Sequence, residues 1–203
     1  MNPGRLRLLS LREQTEAAGV VMDSQRGRFA ALADPSAAPR AVSAFSLFQT
    51  PPELADRLAG LLLEHIGPDS VVLEPSAGLG RLYQAVRRAG FDGQMILAEQ
   101  SPDCCRELYG MIAGDNATLK QGDFLGMELQ ADAVIMNPPF KMWRDIKHIN
   151  RARSLAPVVV ALCANGPRQR AKLMPEAAEW YDLGPGPFKS EGANVNVAIA
   201  VFY

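Results

Sequence analysis

Four groups of residues along the chain could hold a ligand or act on one. The sharpest is Asn137-Pro138-Pro139-Phe140. Its two prolines fix φ and remove donors, which ends a strand and leaves carbonyls without ladder partners. The Asn137 amide oxygen and the Pro138 carbonyl are then two convergent acceptors, suited to an exocyclic –NH₂ group. The Phe140 ring offers a stacking face to the base that would carry that amine. Upstream, Glu74-Pro75-Ser76-Ala77-Gly78-Leu79-Gly80 delivers an acid into a turn whose glycines allow close backbone approach at a helix N-terminus. An acid just before the turn suits a ligand with an amine or cationic end rather than a pyrophosphate, and GxGxxG is absent. Glu99, 19 residues after Gly80, can accept both hydroxyls of a ribose. In Gly122-Asp123-Phe124, Asp123 can accept from an adenine amino group while Phe124 packs on the ring. Each group alone also reads as an ordinary turn or an exposed acid; their combination in order favours chemistry.

The elements that must position these groups follow from hydrophobic spacing. Thr50-Pro51-Pro52-Glu53 reads as a capping box, with Thr50 as N-cap, and Leu54, Leu58, Leu61 and Leu62 share one face of the helix that follows. Gly67-Pro68 stops it. Strands are expected at 71–73, 95–98, 119–121, 133–136 and 158–163, with 119–121 and 133–136 both apolar enough to be central. Helices are expected from the glycine turn to about residue 88, closed by Gly90, and at 102–113. Residues 194–203 alternate small and large apolar side chains and read as a long last strand. Strands separated by helices imply a parallel sheet covered on both faces, with ligands at the carboxyl ends of its strands. All four groups fall at such ends.

Residues 1–44 read as an N-terminal extension. Leu6, Leu8, Leu9 and Leu11 lie in a helix that Gly19 ends, and a linker follows at 34–40. The catalytic domain is then 45–203. A chain of 203 residues, 48% hydrophobic and 21% charged, has enough apolar material for one domain with a core. The longest apolar run, 155–164, is too short to span a bilayer, and Arg5, Arg7, Arg12 and Glu13 interrupt any signal-peptide core. Three cysteines, two of them adjacent, make neither a CxxC ligand pair nor a disulfide framework. No metal, no membrane and a reduced, cytoplasmic setting are the expectations. Net charge is −1, yet residues 141–172 carry eight Lys/Arg against one acid, +7, leaving −8 elsewhere. Such a stretch is either a polyanion contact or a pair of solvated helix faces.

The ordered motifs FQTPPELA at 48–55, EPSAGLG at 74–80, Glu99, GDF at 122–124 and NPPF at 137–140 resemble those of S-adenosylmethionine-dependent amino-methyltransferases. The closest likeness is to N6-adenine DNA methyltransferases of the small, prophage type that lack a target-recognition domain. The likeness runs from Phe48 to the C-terminus. It implies an α/β, Rossmann-like class I methyltransferase fold. The sheet would be seven-stranded and mostly parallel, with an antiparallel last strand inserted as a hairpin, and helices would cover both faces. By position, it implies that Thr50 and Pro51 border the methionine end of S-adenosyl-L-methionine. Glu74, Pro75, Ser76, Ala77, Gly78 and Gly80 would line that cofactor, with Glu74 near its amino group. Glu99 would hold the ribose, and Asp123 and Phe124 the adenine. Asn137, Pro138 and Pro139 would hold the target amine, Phe140 its ring, and Phe188 would be a second aromatic against the base.

No strong base is needed for an amine attacking an activated methyl, so neither His65 nor His148 is assigned a role. The target base must leave its stack to reach Asn137. Only 63 residues follow Phe140, too few for the fold and a separate recognition domain. Recognition is then loose, or lies in residues 1–44, in a partner, or in the basic stretch, where Lys141, Arg144, Arg151 and Arg153 are candidate nucleic-acid contacts. By analogy, loose recognition suits protection of DNA against restriction. The leading expectation is N6-adenine methylation of DNA. RNA is a second substrate, and the two-acceptor geometry also admits N4-cytosine. A release-factor glutamine-amide methyltransferase shares Asn-Pro-Pro but has an aspartate-led glycine turn and a tyrosine after the prolines. A catalytically silent scaffold has no need of Glu74, Gly78, Glu99 and Asn137 together.

Overall fold

The computed structural model describes residues 49–189 and 194–203. The expected helix and linker within 1–44, and Phe48, lie outside them. Seven strands form one sheet in the order β3-β2-β1-β4-β5-β7-β6. The strands are β1 Val72–Glu74, β2 Met95–Glu99, β3 Ala117–Gln121, β4 Ala133–Met136, β5 Val158–Ala164, β6 Glu179–Pro185 and β7 Asn196–Phe202. β1 to β5 run parallel, and β7 lies antiparallel between β5 and β6. Five helices of the described residues surround it: α1 Pro52–Leu63, α2 Arg81–Arg88, α3 Pro102–Met111, α4 Arg144–Arg153 and α5 Pro167–Lys172.

Side chains alternate across the pleat and build two cores. Val72, Ile135, Val160 and Leu162 pack with α1, α2 and α3, whereas Leu73, Val134, Met136, Val159 and Ala161 pack with Ile149 and Ala152 of α4. β4 and β5 are therefore buried on both sides and read as continuous apolar runs.

Two expectations are corrected. The 119–121 segment is the heart of an edge strand, not a central one: Leu119 is buried, but Thr118, Lys120 and Gln121 are exposed. The N-cap of α1 is Pro51, and Thr50 makes no capping bond there. Two prolines in succession move the helix start one residue on and release the threonine hydroxyl for another partner. β6 has no counterpart among the expected strands. It is a half-exposed edge with a register shift between Asp182 and Pro185, so its residues lack a clean alternation.

Candidate active site

The loops at the carboxyl ends of β1, β2, β3 and β4 converge on a cavity of about 510 Å³, closed on one side by Gln49 and Thr50 ahead of α1. Thirteen of the residues singled out as catalytic or cofactor-binding line it: Thr50, Glu74 through Gly78, Glu99, Asp123, Phe124 and Asn137 through Phe140. Lys141 and Arg144 reach its wall as well.

Gly78 and Gly80 both take positive φ, 55° and 74°, which lets the chain turn sharply from β1 into α2. A Cβ at Gly80 would stand 2.7 Å from Met111 Sδ, so a larger residue there must displace that side chain. Gly80 itself shapes the turn without lining the cavity, and Pro51 likewise lies outside the lining.

Glu74 is 1% exposed, and its Oε2 has no hydrogen-bond partner. Burial pushes its carboxyl well above the ordinary carboxylate range; the Tyr83 backbone hydrogen bond opposes this, and the nearby Glu99 charge adds to it. A buried acceptor without a donor, in the wall of a cavity, is the arrangement a cationic ligand would satisfy. Glu99 is held differently. Its Oε2 accepts from the Gly78 N–H at 2.8 Å and its Oε1 from the Ser101 N–H at 2.7 Å. The carboxylate is thereby fixed in orientation, and each oxygen retains capacity for a further donor. Ser101 is the N-cap of α3, with its side chain accepting from the Cys104 N–H.

After β4, the Asn137 amide Nδ2 donates to Thr50 Oγ1 at 3.0 Å, and Thr50 is 3% exposed. With its nitrogen committed to Thr50, the amide presents oxygen as its acceptor end. The Phe140 ring meets Phe188 edge-on, with centroids 6.1 Å apart. Phe188 is 1% exposed, sits in the core and does not line the cavity. Asp123 accepts from the Leu125 N–H and lies 4.0 Å from Arg144.

Arg151 and Arg153 do not line the cavity. Arg151 Nη2 donates to the Met127 carbonyl, while Arg153 pairs with Glu176 and lies over the Phe202 ring at 4.8 Å.

His148, given no role from sequence, lines the cavity. It is 4% exposed, its Nδ1 lies 3.4 Å from Ser76 Oγ, and its ring is tilted against Phe124 at 5.6 Å. Burial first and the Arg144 charge second lower its pKa to about 4, with Asp123 opposing, so the ring is neutral near pH 7. No motif flags a histidine on the second turn of α4. Ser101 was missed as well, although Ser101-Pro102, two residues after the strand-end acid Glu99, is an N-cap signal. Gln49, which accepts from Arg81 Nε at 2.7 Å, and Met142 also line the cavity. Met142 and Trp143 follow Phe140 closely with φ of 54° and 57°, a left-handed conformation that costs roughly 1–2 kcal/mol per non-glycine residue.

No family model matches the sequence, and no curated protein does. Solved structures do. A proposed RNA methyltransferase from Pyrococcus horikoshii superposes with a TM-score of 0.65 at 22% identity, over 76% of this chain and 84% of that one. An RNA methyltransferase from Salinibacter ruber, in complex with S-adenosyl-L-homocysteine, gives 0.54 at 18%, over 76% and 92%. A dimethyladenosine transferase from Plasmodium falciparum gives 0.59 at 16%, over 75% of this chain and 61% of that one. The chain has the class I methyltransferase fold. Strand order, the antiparallel β7 and the cavity at the strand ends are the features of that fold which carry the site. Among the described residues, no group of His, Cys, Asp or Glu is arranged to hold a metal ion, and no helix is long and apolar enough to cross a membrane.

Proposed function

We propose that the chain transfers a methyl group from S-adenosyl-L-methionine to the N6 amine of adenine in a nucleic acid. The observation that carries this reading is the Asn137–Thr50 hydrogen bond beside Pro138 and Phe140, in the same cavity as Glu74 and Glu99. The cavity is lined by a buried acid with one oxygen lacking a donor, by a carboxylate fixed for a ribose, and by Asn137, Pro138 and Phe140. The cofactor fits the first two: Glu74 would take its ammonium, Glu99 its ribose hydroxyls, and Asp123 and Phe124 its adenine. When bound, the cofactor supplies an electrophilic methyl on a sulfonium: the nitrogen–methyl bond forms as the sulfur–methyl bond breaks, and the amine's surplus proton leaves to water.

The chain's own contribution is alignment and electrostatics. An exocyclic amine is a poor nucleophile because its lone pair is delocalised into the ring. Acceptors at Asn137 and Pro138 favour a pyramidal nitrogen and stabilise the positive charge it develops. The Thr50 hydroxyl keeps the Asn137 amide from rotating. His148, neutral near pH 7, buttresses Ser76 and the Phe124 ring. Phe140 would stack on the target ring, braced edge-on by the buried Phe188.

The motifs resemble those of DNA enzymes, and this supports DNA as the substrate. A second reading, RNA, is supported by neighbours that act on RNA. Asn137→Ala is the test of the shared mechanism. With the Asn137 acceptor removed, kcat on the accepted polymer should fall by roughly 10²–10³, the loss typical of one preorganised transition-state partner. Calorimetric affinity for S-adenosylmethionine should stay at the wild-type value. Undiminished turnover would overturn the mechanism.

A further inference from the structure

Met142 and Trp143 are the only non-glycine residues with positive φ among the described residues, and they are consecutive. Left-handed backbone at two bulky residues persists only where something holds it or uses it. Core packing does not use it, because Met142 is 70% and Trp143 52% exposed. The strain instead holds two large apolar side chains at the surface, and Met142 reaches the cavity wall beside Phe140. Trp143 is backed from one side by Arg168, whose guanidinium carbon lies 3.6 Å from the ring centroid. Lys141 and Lys147 flank the pair, both exposed and without a carboxylate partner among the described residues.

Resting on the proposed nucleic-acid substrate, we propose that residues 141–143 with Arg168 form the element that engages the nucleotides next to the target base. Met142 is a wedge at the cavity mouth, filling the space left when the target is extruded, and Trp143 is a platform for the adjoining base. A left-handed turn suits this, since it lifts two successive side chains clear of the fold. An apolar wedge inserted at a base step is a general solution to unstacking, and an aromatic face accepts any base. Three cations around an apolar pair favour a polyanion that also has flat apolar surfaces, and a nucleic acid is both. Arg168 serves twice, stiffening the tryptophan by cation–π contact and adding positive potential for phosphate.

The test uses the full chain saturated with S-adenosylhomocysteine, titrated with DNA and RNA oligonucleotides that carry 2-aminopurine at one adenine position. A Trp180→Phe background leaves Trp143 as the sole tryptophan. Its fluorescence should be quenched on binding, and 2-aminopurine emission should rise as that base unstacks. Trp143→Ala should weaken oligonucleotide binding roughly ten-fold, within the range for losing one base–aromatic stack, and leave S-adenosylmethionine affinity unchanged. Met142→Gly, which relieves the backbone strain and so keeps the fold, should abolish most of the 2-aminopurine rise. If the protein binds and methylates an oligonucleotide but both variants do so as well as wild type, this inference falls and the methyltransferase reading stands. If neither polymer binds the wild-type protein, both fall. Binding without quenching of Trp143 also overturns the assignment.

Discussion

Glu74 concentrates the electrostatic logic of the site. A carboxyl buried without a counter-charge prefers to be neutral, so the folded protein binds its proton more tightly than the unfolded chain does. The sign follows. Between the unfolded carboxylate pKa of about 4.3 and the raised folded value, the native state carries the extra proton, and ligand-free stability falls as pH rises through that window. A ligand ammonium reverses the preference by favouring the carboxylate. Cofactor affinity should therefore rise with pH across the same window, while Glu74→Gln should lose that slope, bind roughly ten-fold more weakly near neutral pH and be the more stable protein without ligand. Calorimetric titrations over a pH series measure this, and an identical slope in the variant would remove Glu74 from the ammonium site. The residue types at this end were legible only in combination: the acid and glycine turn alone also reads as a plain strand-to-helix connection, and it gains meaning from Glu99, Asp123 and Asn137 following in order. The contact between Thr50 and Asn137 was not. It joins residues 87 apart in sequence, and local pattern reads Thr50 as a cap because it cannot see the distant amide that claims the hydroxyl.

Among the elements, the turn from β1 into α2 does the most positioning. It places Glu74, aims the Gly78 N–H at Glu99 and starts α2, all within seven residues. Gly80→Ala should destabilise the fold by about 1–3 kcal/mol, combining left-handed strain with overlap against Met111 and Leu108. Gly90→Ala separates the two causes, since Gly90 has φ of 93° and open space where a Cβ would go. It should cost less in denaturant unfolding, and an equal cost would mean that the overlap with α3 is relieved at no expense. The elements most visible in the sequence were those with both a periodic core and a chemical stop: α2 ended by Gly90, β4 ended by two prolines, and β7 with its run of small and large apolar residues. β6 was invisible. Its Trp180 and Tyr181 are half-buried, and Gly184 and Pro185 interrupt it, so it forms on the template of β7 and not by its own pattern.

At the scale of the whole molecule, charge segregation looks different in three dimensions from its run along the chain. The +7 of residues 141–172 is not one patch. Arg153 and Arg170 are paired with Glu176 and Asp182, and Arg151 stitches α4 to a backbone carbonyl. Lys141, Arg144 and Arg168 remain near the cavity and the Met142–Trp143 turn. Composition revealed the surplus, but which cations are spent on internal partners depends on contacts between α4, α5 and the β6 edge. The sheet order also explains why sites scattered from residue 50 to residue 148 share one cavity: neighbouring parallel strands end on the same side, and their loops meet there. The central claim is that this cavity joins a methyl donor to an exocyclic adenine amine. The direct measurement is incubation of the protein with S-adenosylmethionine and either unmethylated duplex DNA or total RNA, followed by mass spectrometry of the released nucleosides. N6-methyladenine in one of the two polymers is the predicted result, with the other polymer unmodified or weakly modified. Cofactor bound with no methylated nucleoside in either polymer, or methylation of a base position other than the adenine N6, would contradict it.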